Sequence, residues 1–105
     1  MRINEIISSN KKEHAEKLIE NFLTVDQKKV NNKFKQNLFK SLVIPKSYQN
    51  TMLRYIELIK EQPNEDKLLL AAKASNEIGH ISSREFLIFL KDQKKKNKLP
   101  SILLN

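Results

Sequence analysis

The sequence predicts an all-α fold, a compact single-domain bundle of four to five short helices. Apolar residues recur at intervals of three and four along nearly the whole chain, the spacing that places them on one face of an α-helix. One glycine and three prolines in 105 residues leave little material for turns. A chain of this length supports one hydrophobic core, so we predict one helical domain over residues 1–98 and a C-terminal tail over 99–105.

The first two helices are predicted from capping residues and apolar stripes. Asn10 is predicted to cap a helix that ends near Leu23, and Thr24, with Gln27 three residues on, to cap a second helix that Pro45 ends. Each helix has one buried stripe, formed by Ala15, Leu18, Ile19 and Phe22 in the first and by Phe34, Leu38 and Leu42 in the second.

The third and fourth helices are separated by a break at Pro63. Ser47 is predicted to cap the third helix, whose apolar face consists of Tyr48, Met52, Tyr55, Ile56 and Ile59. Asn64 is predicted to cap the fourth helix, over about residues 65–77, and Gly79 to end it in the left-handed conformation. Apolar side chains cover nearly all sides of the fourth helix, leaving a narrow polar strip of Asp66, Lys73 and Glu77. This pattern places it at the centre of the bundle.

The fifth helix has a clear start signal. Ser82 and Glu85 have the spacing of a capping box, and Ile81 and Phe86 have that of a hydrophobic staple. After Lys98, the tail is expected either to fray or to fold back over the core through its apolar residues, which are Ile102, Leu103 and Leu104.

The sequence lacks the residues that enzymatic or cofactor chemistry requires. The two histidines, His14 and His80, have no second metal ligand or catalytic partner at a suitable spacing. A single glycine excludes a glycine-rich phosphate loop, and the absence of cysteine excludes thiolate catalysis and sulfur-ligated metals. We therefore expect no catalytic, cofactor-binding or metal-binding residues.

No part of the sequence has the length and apolar character of a membrane span or a signal peptide. A span needs roughly 18 consecutive apolar residues, and the charged N-terminal segment has no uninterrupted apolar stretch. We expect a cytoplasmic protein that does not insert into membranes.

Positive charge is the strongest global signal. The formal net charge is +8, and 17 of the 20 basic residues are lysine, since only Arg2, Arg54 and Arg84 are arginine. Helical spacing arranges part of this charge in two stripes. The first ridge comprises Lys29, Lys33, Gln36 and Lys40, and no acidic residue occurs between Gln27 and Leu53. The second ridge comprises Arg84, Ile88, Lys91 and Lys95.

Ile88 distinguishes the second ridge from a simple charged face. It is predicted to lie opposite Phe86, Phe89 and Leu90, as an exposed apolar residue among cations. The alternative is an ordinary solvated face, because lysines near the end of a helix also favour the negative end of its dipole.

The leading functional hypothesis is nucleic-acid binding, to DNA or RNA, mainly through phosphates. Lysine can contact phosphates as a point charge, whereas the scarcity of arginine argues against extensive bidentate contacts to bases. Residues 65–96 match a helix-turn-helix in outline, with Gly79 in the turn and Ser82, Ser83 and Arg84 at the start of a recognition helix.

The alternative hypothesis is a small protein inhibitor that binds an acidic protein. Chain length, helix number, lysine content and the apolar C-terminal tail resemble, in layout, the bacteriocin immunity proteins of Gram-positive bacteria and phage-encoded inhibitors of host enzymes. The resemblance implies a partner that carries negative charge, with Ile88 as a binding hot spot surrounded by steering charges.

Overall fold

The computed structural model describes the backbone of residues 2–96 and 98–103, and the side chains of residues 13–96 and 98–103. The described residues form five α-helices and two short 3₁₀ helices and contain no β-strand, so the all-α prediction is confirmed. The chain groups into two compact units, Met1–Val43 and Ile44–Asn105. The prediction of one domain over residues 1–98 stays a prediction.

The first unit contains helices α1 (Arg2–Thr24) and α2 (Asn32–Leu42), joined through a 3₁₀ helix, Gln27–Lys29. The predicted start of the first helix at Asn10 is wrong, because Asn10 lies inside α1. The preceding residues include neither proline nor glycine, so the helix continues through them to Arg2.

The predicted start of the second helix at Thr24 is also wrong. Thr24 is the last residue of α1, and its hydroxyl donates back to two backbone carbonyls of that helix. Asp26 caps the 3₁₀ helix, and Asn31 caps α2 by accepting a hydrogen bond from the Phe34 amide at 2.8 Å. Aspartate and asparagine are stronger N-caps than threonine, so the later residues determine where the chain turns.

Helices α1 and α2 pack against each other. Their buried apolar residues are Ala15, Ile19, Phe22, Leu38, Phe39 and Leu42, while Leu18 and Phe34 of the predicted stripes are half-buried. The rings of Phe22 and Phe34 stack with their centroids 6.3 Å apart. Val43 then ends α2 in the left-handed conformation, at φ 53°, two residues before Pro45.

The second unit contains α3 (Lys46–Glu61), α4 (Lys67–Ile78), α5 (Ser83–Lys95) and a 3₁₀ helix, Ser101–Leu103. The prediction that Ser47 caps α3 is wrong, because Pro45 takes that position and α3 begins at Lys46.

The Pro45 carbonyl accepts a hydrogen bond from the Tyr48 amide at 2.9 Å, so the first turn of α3 is already formed before Ser47 could cap it. The helix ends at Glu61, before Pro63, as predicted. At the next helix start, Asp66 rather than Asn64 is the cap, and its carboxylate accepts from the Leu68 amide at 2.9 Å.

Helix α4 packs against both α3 and α5, so it is central within the second unit; its predicted place at the centre of the whole bundle stays a prediction. Its buried face is made of Leu70 and the small residues Ala71, Ala74 and Ser75, which allow neighbouring helices to approach closely. The prediction of burial on nearly all sides is wrong in its first turn, where Leu68 and Leu69 are each 46% exposed.

The turn between α4 and α5 has the predicted glycine terminator and serine cap. Gly79 adopts the left-handed conformation with φ 76° and ends α4. The hydroxyl of Ser82 accepts a hydrogen bond from the Glu85 amide at 3.1 Å and caps α5.

Aromatic rings connect α3 with α5. Tyr55 meets Phe86 edge to face at 5.8 Å, and Tyr48 meets Phe89 in the same way at 4.8 Å. These contacts complete a core that also includes Met52, Ile56, Ile59 and Leu90.

The segment after α5 packs on this core. Leu99, Pro100 and Leu103 are buried, and the hydroxyl of Tyr55 donates to the backbone oxygen of Leu103. Of the two predicted alternatives, the segment therefore folds back over the core; Leu104 lies outside the described residues.

Candidate binding surfaces

The second ridge forms a continuous exposed stripe on α5. Arg84, Lys91 and Lys95 are exposed, and Ile88 between them is 56% exposed, which confirms its predicted orientation. None of the three cations forms an ion pair with a residue whose side chain the structure describes. Asp92, the acidic residue nearest to Lys91 in sequence, pairs instead with Lys96 at 3.1 Å.

The first ridge is shorter than predicted. Lys33, Gln36 and Lys40 are exposed and share one face of α2, but Lys29 lies in the preceding 3₁₀ helix. The prediction that all four residues stack on one helix is wrong, because α2 begins only at Asn32. Helix α2 contains no acidic residue, so no carboxylate of the same helix reduces the charge of this face.

Arg54, unlike the cations of the second ridge, is paired with carboxylates. Its guanidinium lies on α3, 3.2 Å from Glu57 and 3.5 Å from Glu61, and also forms a close ion pair with Glu77 of α4. The hydrogen bond that Arg54 donates to Glu77 is the main reason that the pKa of Arg54 is raised, and the same bond lowers the pKa of Glu77. Arg54 therefore joins α3 to α4 and is occupied by intramolecular carboxylates.

The residues predicted to begin a recognition helix are mostly engaged within the protein. Ser82 caps α5 through its hydroxyl. Ser83 donates to the side-chain oxygen of Asn76 at 2.9 Å and accepts from Ser75 at 3.0 Å. Of the three predicted residues, Arg84 alone presents an exposed side chain that makes no hydrogen bond or ion pair within the described part of the chain. The presence of Ser82 and Ser83 is therefore explained by capping of α5 and by hydrogen bonds between α4 and α5.

A pocket of about 140 Å³, which we call the tail pocket, lies beside the second ridge. Its floor consists of the buried residues Tyr55, Leu90 and Leu103. The remaining lining residues are Leu68 and the three lysines Lys67, Lys91 and Lys94. Sequence reasoning missed this pocket, because it depends on the docking of residues 99–103. The feature of the sequence that could have indicated the pocket was the apolar first turn of α4.

Comparisons of this chain with models of known protein families, with curated proteins and with solved structures find no match. Within the described ranges, no three histidine, cysteine, aspartate or glutamate side chains are grouped to hold a metal ion. None of the helices in those ranges combines the length and apolar character needed to cross a membrane.

Proposed function

We propose that this protein is a non-catalytic binding protein that engages nucleic acid mainly through phosphates. The observation that supports the proposal is the exposure of Lys33 and Lys40 on α2 and of Arg84, Lys91 and Lys95 on α5, without intramolecular ion pairs among the described residues. Lysine and arginine side chains in this state can neutralise phosphates and release condensed counterions, which is the main source of affinity in sequence-independent binding.

The type of basic residue favours contacts to the backbone of nucleic acid over the reading of bases. Lys33, Lys40, Lys91 and Lys95 carry compact charges on flexible chains, which suit phosphate oxygens. Of the arginines whose side chains the structure describes, Arg54 is occupied by glutamates, which leaves Arg84 alone with a free planar group for bidentate base contacts. We therefore propose weak dependence on sequence and strong dependence on salt.

A second candidate function is inhibition of an acidic protein, as in the immunity-type layout. It is favoured by the exposed apolar residues close in sequence to lysines, namely Ile88 on α5 and Leu68 and Leu69 on α4. Protein interfaces combine an apolar centre with surrounding charges, whereas phosphate contacts do not require an apolar residue.

The test is binding to random duplex and single-stranded DNA and RNA over a series of salt concentrations. For on the order of four to six phosphate contacts, the logarithm of duplex affinity should fall with the logarithm of salt with a slope between about −3.6 and −5.4. Absence of binding to all of these at low ionic strength would overturn the proposal and favour the protein inhibitor.

Charge-reversal variants test the face on α2 and the face on α5 separately. Lys33→Glu on α2 and Lys95→Glu on α5 should each weaken binding and reduce the salt slope. Lys17→Glu on α1 and Lys73→Glu on α4 are matched controls, because both lysines are exposed and lie outside the two ridges. Equal losses in all four variants would indicate general attraction by net charge and would contradict the proposed faces.

A further inference from the structure

We propose that the tail pocket binds a small amphipathic anion, consisting of one aromatic ring and one carboxylate or phosphate group. The proposal rests on the floor, the size and the charge of the pocket, and it does not depend on the proposed function. Each of these three properties restricts the ligand in a different way.

The floor of the pocket is apolar although it includes a tyrosine. The Tyr55 hydroxyl donates to the backbone oxygen of Leu103, so these two polar groups satisfy each other. Together with Leu90, they leave mainly ring and hydrocarbon surface toward the pocket. A ligand part that enters here must therefore be apolar, since a polar group would lose its hydrogen bonds to water without replacement.

The size of the pocket limits the apolar part to about one ring. Its volume of about 140 Å³ is far below that of a site for a drug-sized ligand. It is close to the roughly 150 Å³ of an engineered apolar cavity that holds benzene in another protein. A larger apolar group would leave part of its surface outside the pocket.

The charge around the pocket selects an anionic group. Lys91 and Lys94 lie one turn apart on α5, are exposed, and form no ion pair with any described side chain. Lys67, at the start of α4, makes one long hydrogen bond of 3.4 Å to the backbone oxygen of Pro63 and keeps its charge available.

A nearby carboxylate, Asp66, does not line the pocket. Asp66 lies near enough to Tyr55 to affect it electrostatically, and one of its oxygens already accepts from the Leu68 amide. The lining contains three lysines and no carboxylate, so an anion above an apolar ring matches both parts of the pocket. Leu68, which is 46% exposed, is placed to cover the ring after binding.

Phenyl phosphate and benzoate are suitable probes for the full chain, with amide chemical shifts in ¹H–¹⁵N NMR spectra as the readout. We expect saturable shifts at Leu68, Leu90, Lys91 and Leu103. Benzyl alcohol, which lacks the charge, and inorganic phosphate, which lacks the ring, should each bind at least about tenfold more weakly. Benzylamine, with the opposite charge, should not bind.

The same titrations contain the outcomes that would overturn the proposal. If inorganic phosphate binds as well as phenyl phosphate, the lysines attract anions without a pocket for the ring. If no probe gives saturable shifts, or if benzylamine binds as well as benzoate, the site does not exist as proposed.

Two exposed lysines of α5 provide a matched pair of variants. Lys94 lines the pocket and lies outside the second ridge, whereas Lys95 belongs to the ridge and not to the pocket. Lys94→Gln should weaken phenyl phosphate binding by about fivefold, the upper range for one exposed charge contact, and Lys95→Gln by less than about twofold.

Both lysines are exposed, so neither change should affect the melting temperature. Equal weakening by the two changes would assign binding to the general charge of α5 and would contradict a pocket. Leu68→Gln, also at an exposed position, adds an independent test, because it removes apolar cover without changing charge.

Discussion

The side chain of Tyr55 in α3 is hydrogen-bonded to the backbone of Leu103, 48 residues later in the chain. Both residues are almost completely buried. The bond joins the segment after α5 to the core of the second unit. Residues 99–103 are therefore part of that core rather than an appendage.

The first prediction concerns alkaline pH. Burial, together with the charge of Asp66, raises the pKa of the Tyr55 hydroxyl above its ordinary value of about 10. The raised pKa contributes stability that is complete below about pH 10, and the contribution is lost as pH rises, because the unfolded chain releases this proton first. Above about pH 10, the free energy of unfolding should fall more steeply in the wild type than in Tyr55→Phe, by about 1.4 kcal/mol per pH unit.

Urea unfolding at several pH values measures this difference. Ionisation of the lysines affects the wild type and Tyr55→Phe equally, so it cancels when the two are compared. A Tyr48→Phe background leaves Tyr55 as the only tyrosine, so phenolate absorbance reports it directly. Parallel pH curves for wild type and Tyr55→Phe would contradict the prediction.

The second prediction concerns the packing of Leu103. This side chain is fully buried, so Leu103→Ala should lower the free energy of unfolding by about 2–5 kcal/mol through lost burial and a residual cavity. Ile102→Ala, at a half-buried neighbouring position, should cost clearly less. Denaturant unfolding compares the two variants, and equal small losses would show that the segment is not packed on the core.

The third prediction concerns Val43. Its φ of 53° is unfavourable for a β-branched residue, and its side chain is 61% exposed and offers little packing in return. Val43→Gly should raise the free energy of unfolding by about 1 kcal/mol, since the strain of roughly 1–2 kcal/mol is partly offset by the entropy of glycine.

Val30→Gly is the matched control for this change, because Val30 has a φ of −77°. It should lower stability, since the valine there is unstrained and glycine only adds freedom to the unfolded chain. Thermal unfolding of the two variants should show shifts of opposite sign.

The fourth prediction concerns the hydroxyl of Thr51. This residue is fully buried in α3, and its hydroxyl oxygen has no hydrogen-bond partner among the described residues. Thr51→Val keeps the shape and removes the unsatisfied group, so it should raise the free energy of unfolding by about 1 kcal/mol. Thr24→Val, at an exposed hydroxyl, should change it by less than about 0.5 kcal/mol. A destabilised Thr51→Val variant would show that the hydroxyl is bonded in solution.

The fifth prediction distinguishes the two candidate functions at Ile88. Because this side chain is 56% exposed, Ile88→Ala should leave the melting temperature nearly unchanged. Affinity for duplex DNA should change little if phosphates provide the binding energy. At the centre of a protein interface, the same change would cost on the order of 2 kcal/mol, or roughly thirtyfold in affinity. A large loss of DNA affinity would contradict a mechanism based on phosphates alone.

Features set by local chemistry could be predicted from the sequence. The buried faces of α1, α2 and α3 follow from the spacing of apolar residues, and Gly79 and Ser82 mark the turn between α4 and α5 because few other residues compete for these roles. Helix starts were harder, since Thr24, Asp26 and Asn31 can all act as caps and the stronger ones prevail.

The wrongly predicted start of α2 affected the candidate site directly, because it placed Lys29 on α2 instead of in the preceding 3₁₀ helix. The tail pocket could not be predicted for a different reason. Tyr55, Lys67 and Leu103 come from three separate segments, and only their packing brings them to one place.

The order in which α3, α4 and α5 pack also bears on the rate of folding. Each pairs mainly with its neighbour in sequence, across connections of only four or five residues, so few long loops must close before the helices gain contacts. Such topologies fold within microseconds to milliseconds. The bond between Tyr55 and Leu103 spans a much longer interval, and we expect it to form after the helices have associated. Docking of residues 99–103 would then be a late step in the folding of the second unit.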